Sequence, residues 1–65
     1  MSAPPSRRQV IRMVLDEVGL GGLTPHEMRR VLGLGKEATR LAGQAAIAAL
    51  GEPVGLARLW DEAER

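Results

Sequence analysis

The chain has no cysteine, no phenylalanine and no tyrosine, and a single tryptophan among its 65 residues. Without cysteine no disulfide can hold a small fold together, and nothing points to an oxidising compartment. Without Phe or Tyr the core has to be assembled from Leu, Val, Ile, Met and Ala, which individually bury less area than aromatic rings. No apolar run approaches the ~20 residues needed to span a bilayer. The longest, Leu41 to Leu50, is interrupted by Gln44. The opening stretch Met1-Ser2-Ala3-Pro4-Pro5-Ser6-Arg7-Arg8 lacks the apolar segment of a secretory signal. The expectation is a soluble, cytoplasmic protein with no membrane association.

Catalytic chemistry is also hard to place. His26 is the only histidine, with no cysteine to join it in holding a metal. Asp16-Glu17 and Asp61-Glu62 are adjacent pairs, and neighbours on a helix point in different directions rather than converging on a substrate. Gly19-Leu20-Gly21-Gly22 lacks the Gly-Lys-Ser/Thr ending of a phosphate loop. Ser2, Ser6, Thr24 and Thr39 have no nearby base to activate them. No catalytic residue, metal ligand, cofactor or small-molecule substrate is expected, and the chain reads as non-enzymatic.

What is present is a set of helix signals. Residues 1–5, with two prolines, read as a flexible arm, and residues 6–65 as one helical domain. Ser6 and Gln9 have capping-box spacing at the start of a first helix running from about Arg7 to Val18. Val10, Val14 and Val18, with Ile11 and Leu15 beside them, form its apolar stripe. Gly19 is a left-handed stop. Leu20 and Leu23 are the expected anchors of the glycine-rich loop. Thr24 then caps a second helix, Pro25 occupies its first position, Glu27 completes a capping box, and Leu23 can staple onto Met28. This helix should end at Leu32, with Gly33 as its stop and Met28, Val31 and Leu32 facing inward. A third helix is expected from about Lys36 to Leu50, ended by Gly51. One side of it is small (Ala38, Ala42, Ala45, Ala49, with Gly43 and Ala46 adjacent), which permits close helix approach. Leu41, Ile47 and Leu50 are expected to supply its bulk. A short last helix should begin near Pro53, carry Leu56, Leu59 and Trp60, and fray from Asp61 onward. The fold class is therefore all-α: three main helices and a short C-terminal one.

The net charge of +1 excludes a general polycation. Its distribution is uneven. Residues 1–40 hold seven Arg or Lys against four Asp or Glu, and residues 41–65 hold two against four. A basic front and an acidic end are compatible with a one-sided electrostatic footprint.

From Pro25 to Ala42 the chain resembles the helix-turn-helix of bacterial and phage DNA-binding regulators. Met28, Leu32-Gly33 and Leu34 match that family's apolar, Leu-Gly and apolar spacing, and the polar segment Gly35-Lys36-Glu37-Ala38-Thr39-Arg40 follows. The pattern departs at two places, with Arg29 where the family has a small residue and Thr39 where it has Val or Ile. The resemblance implies that the third helix reads the major groove of double-stranded DNA through Lys36, Glu37, Arg40 and Gln44, side-chain types that suit base edges. Arg29 and Arg30 would contact phosphates. Arg7 and Arg8, at the end of the arm, would reach a phosphate or an adjacent minor groove. The function implied is sequence-specific binding by a transcriptional regulator of phage or plasmid type.

Two half-sites multiply specificity, and a small scaffold gains core by pairing, so a homodimer is expected. Leu56, Leu59 and Trp60, on the acidic end least welcome near phosphate, form its expected interface. Trp60 either finishes the core or anchors a partner. The alternative is a helical adaptor or inhibitor that docks on a larger protein through the Ala/Gly face of the third helix or the Leu56–Trp60 edge.

Overall fold

The computed structural model describes residues 3–64. Four helices follow in order: α1 (Arg7–Glu17), α2 (Pro25–Leu34), α3 (Lys36–Leu50) and α4 (Leu56–Glu64). Among the described residues there is no strand. Helix α1 packs on both α3 and α4, and α2 packs on α3. Met1, Ser2 and Arg65 lie outside the described residues, and within the expected arm Ala3, Pro4 and Pro5 are exposed and irregular.

Local chemistry explains where α1 and α2 begin. The Gln9 N–H donates to Ser6 Oγ (3.2 Å) and the Ser6 N–H to Gln9 Oε1 (2.8 Å). In the same way the Glu27 N–H donates to Thr24 Oγ1 (3.2 Å) and the Thr24 N–H to Glu27 Oε1 (3.0 Å). Each box satisfies two N–H groups at a helix end. After α1, the Gly19 N–H bonds Asp16 O and the Leu20 N–H bonds Leu15 O, with Gly19 at φ 80°. This is a Schellman stop, in which the left-handed residue lets the chain turn back over the last carbonyls. It swings Leu20 onto Leu15, and both are buried.

Helix α2 does not stop at Gly33. It continues to Leu34, and a single non-helical residue, Gly35, separates it from α3. Gly33 is tolerated inside the helix at a penalty of roughly 1 kcal/mol relative to Ala. The break falls at Gly35 because the chain folds tightly there. Its N–H bonds Val31 O at 2.6 Å, and a Cβ at this position would lie 2.8 Å from that same oxygen. Only glycine fits that approach.

The core is formed by Ile11, Val14, Leu15, Leu20, Met28, Ala42, Ala46, Val54, Leu56, Leu59 and Ala63. From α3 only Ala42 and Ala46 are fully buried, so this helix meets the core through its small side. Leu41 and Ile47 are therefore not core bulk, as they lie about 100° or more round the helix from Ala42. They are exposed, and so is Leu32 on α2, which the sequence pattern turns inward. Helix α4 starts at Leu56 rather than near Pro53 and does not fray at Asp61. Its last turn is tied down: Ala63 is buried, and its carbonyl accepts from Arg8 Nε (3.2 Å) and Arg12 Nη2 (3.3 Å). Two guanidinium groups at the negative end of the helix are electrostatically favourable.

Candidate functional site

The Ala side of α3 faces the core, so its opposite side faces solvent and carries the polar residues. Lys36, Glu37, Arg40 and Gln44 are all exposed there. Arg29 and Arg30 are exposed on α2. The single-residue break at Gly35 brings these two helices into one corner. Leu32, Leu34, Lys36, Thr39 and Arg40 line the same shallow concavity, whose floor includes the backbone of Gly33 and Gly35.

Within this corner Arg40 pairs with Glu37 one turn earlier. Hydrogen bonding from Arg40 holds the Glu37 carboxyl below the usual carboxylate range, and Glu37 raises the Arg40 guanidinium in return. Both side chains are open to water, where such pairs are weak and easily exchanged. Glu27 is lowered by the backbone N–H of Thr24 that it accepts in the capping box. Thr39 places its hydroxyl on the Gly35 carbonyl (2.9 Å), so it neither enters the core nor leaves a donor unused. Gly35 provides no side chain to cap α3. Arg29, Arg30 and Lys36 have no hydrogen-bond or ion-pair partner among the described residues.

Arg7 and Arg8 do not join this corner. Arg7 grips Glu62 through Nε (2.9 Å) and Nη2 (3.3 Å) and meets Glu52 through Nη1 (2.7 Å). These contacts raise its pKa further and lower that of Glu62, with the Arg7 hydrogen bond the largest cause for the latter. Arg8 is turned onto Ala63 O. Both arginines close α1 onto α4 and the loop before it instead of extending from an arm. Arg58 also pairs with Glu62 (3.3 Å). The result is a sorting of charge by sign. Among the described residues, the acidic groups without a partner, Asp16, Glu17 and Glu64, lie on α1 and α4, and the unpartnered cations lie on α2 and α3.

The expected dimer contact is largely inside the protomer. Leu56 and Leu59 are fully buried, and Trp60 is half-buried against the core. Ala42 and Ala46, the centre of the alternative docking face on α3, are equally enclosed. Helices α2 and α3 instead expose large apolar residues, of which Leu32 and Leu34 line the corner. Leu34 is 80% exposed, Ile47 51%, Leu41 40% and Leu32 39%. The alanine stripe held the signal for Ile47 and Leu41: once Ala42 and Ala46 define the buried side of α3, both leave the core by helical geometry. His26 is exposed in the first turn of α2. No helix among the described residues is long and apolar enough to cross a membrane.

Compared with known protein families, with curated proteins and with solved structures, the chain matches none significantly.

Proposed function

We propose that this chain is a small sequence-specific DNA-binding protein of regulator type, with the α2–α3 corner as its contact surface and α3 entering the major groove. The observation that carries this reading is the position of the cations left without a partner. Arg29, Arg30 and Lys36 gather on two consecutive helices, while the arginines of α1 and α4 are engaged within the fold. An unneutralised basic corner on a chain of net charge +1 favours an anionic partner on that side. Arg40 and Gln44, with Lys36 at the start of the helix, present the side-chain types that pair with guanine and adenine edges. The connection between the helices is one residue, shorter than the usual three or four of a helix-turn-helix. The reading therefore rests on the charge and exposure of the corner rather than on the turn. Two protomers on adjacent half-sites complete the proposal, since one short helix reads only a few base pairs.

The test is fluorescence anisotropy with mixed-sequence and selected duplexes over a range of salt. Phosphate contacts from Arg29 and Arg30 in each of two protomers, four in all, give a slope of log K against log salt near −3.6, from about −0.9 per contact. Arg29→Ala should reduce that slope by about 2, one contact in each protomer. Binding that shows no salt dependence would remove the proposal.

A second reading has its own observation. Four of the five exposed large apolar side chains, Leu32, Leu34, Leu41 and Ile47, lie on α2 and α3. If no duplex binds even at low salt, this corner becomes the docking face of a helical adaptor for a protein partner.

A further inference from the structure

The leucines of the corner are unexplained by phosphate contacts. Leu34 is the most exposed large apolar residue described, at the last position of α2, immediately before the Gly35 break. It does not help the core, and in water its side chain gains nothing. Leu32 lines the same concavity, which both share with Lys36 and Arg40. A partner that suits this corner therefore offers negative charge and an apolar group within one side chain's reach. Gly33 has open space where a Cβ would stand, so the backbone there is open to close approach. In the major groove of duplex DNA the phosphates supply the charge, and the C5-methyl of thymine is an apolar group exposed on the base edges.

We infer that Leu34, supported by Leu32, contacts thymine C5-methyl groups, so that the protein favours sites carrying thymine at the position facing the α2–α3 break. This rests on the DNA-binding reading and adds a specificity determinant to it. Lys36 and Arg40 pair with base edges by hydrogen bonds, and Leu34 distinguishes bases by shape.

The experiment compares alternating poly(dA-dT) with poly(dA-dU) duplexes of equal length. Uracil pairs as thymine does and lacks only the methyl group. Wild-type protein should bind the thymine duplex more tightly, by about fourfold for each methyl buried. Leu34→Ala should bring the thymine-to-uracil ratio close to one and leave the salt slope unchanged, because an apolar contact releases no counterions. The variant removes an exposed side chain, and its helicity by circular dichroism confirms that the fold is kept. Salt-dependent binding with equal affinity for both duplexes overturns the inference and leaves the DNA reading standing. So does a Leu34→Ala variant that weakens both duplexes equally. No binding to either polymer overturns the inference, and no binding to the mixed-sequence duplexes as well removes the DNA reading with it and assigns the leucines to a protein partner.

Discussion

The α1–α4 half and the α2–α3 corner are built from similar residues used in different ways. On α1 and α4 the described arginines are engaged within the fold: Arg7 with Glu52 and Glu62, Arg8 and Arg12 with the Ala63 carbonyl, and Arg58 with Glu62. Most large apolar residues there, Ile11, Val14, Leu15, Leu56 and Leu59, are buried, with Met13 on α1 the exception at 63% exposure. On α2 and α3, three cations have no partner and four large apolar side chains face water. Only Met28, Ala42 and Ala46 of these two helices are fully enclosed. One half thus holds the fold together, and the other leaves charge and apolar surface unused within the fold. A protein of this size has little stability to spare, about 3–10 kcal/mol on a per-residue scale. Exposed leucines and unpartnered cations on the same two helices add nothing to the stability of the fold.

The largest effect expected follows from that division. Leu59→Ala removes a fully buried side chain at the centre of the α1–α4 half. It should destabilise the fold by about 2–5 kcal/mol, enough to unfold much of the population. Leu34→Ala should change stability by no more than about 0.5 kcal/mol, as surface substitutions do. Urea denaturation followed by far-ultraviolet circular dichroism measures both. If Leu34→Ala destabilised the chain as Leu59→Ala does, the corner would be part of the stabilising core and the comparison would collapse.

The two glycines at the corner sharpen the contrast on a smaller scale. A Cβ on Gly35 would press against the Val31 carbonyl, a backbone atom that cannot rotate away. Gly35→Ala should destabilise by roughly 1–3 kcal/mol, as overpacked sites do. A Cβ on Gly33 would meet nothing within 4 Å, inside a regular helix. Gly33→Ala should stabilise by about 0.5–1 kcal/mol, because alanine loses less backbone freedom on folding. Thermal midpoints of the two variants should move in opposite directions, and a fall for Gly33→Ala would place the functional break at Gly33 after all.

These glycines also mark where the sequence is legible and where it is not. Features decided within four residues can be read directly: the Ser6–Gln9 and Thr24–Glu27 boxes, the Gly19 stop and the helical class itself. By composition, Gly33 and Gly35 are equally good helix stops. The choice between them depends on a close approach to Val31 that no local pattern encodes. On α3, apolar residues occur on several sides, so periodicity alone does not say whether Ala42 or Leu41 faces inward. Close packing against α1 decides for the alanines. The partners of Arg7 and Arg8 lie in α4 and the loop before it, and a sequence separation of 55 residues from Arg7 to Glu62 hides such a pairing from any motif. Of the candidate site, the placement of Arg29, Arg30, Lys36, Arg40 and Gln44 outside the core is legible from helix phase. The exposure of Leu32 and Leu34 on α2 is not.

Acid sensitivity gives the smallest and most local test of the same division. Glu62, Glu37 and Glu27 are each held below the ordinary carboxylate range in the folded chain. A depressed folded pKa adds stability above the unfolded value, near 4.3 for glutamate, and loses it as the pH falls through the folded one. Stability should therefore decline below about pH 4.3. The carboxylates should not contribute equally. Glu62 ties α4 to α1 and its side chain is 21% exposed, whereas Glu37 pairs within one turn of α3 and is 71% exposed. Screening by water and salt weakens the second more than the first. Glu62→Gln should flatten the fall of the thermal midpoint between pH 7 and pH 3, and Glu37→Gln should leave it nearly unchanged. Equal flattening by the two would mean that the corner charges hold the fold together no less than the charges between α1 and α4 do. Arg40 would then be less available to a partner than its exposed position implies.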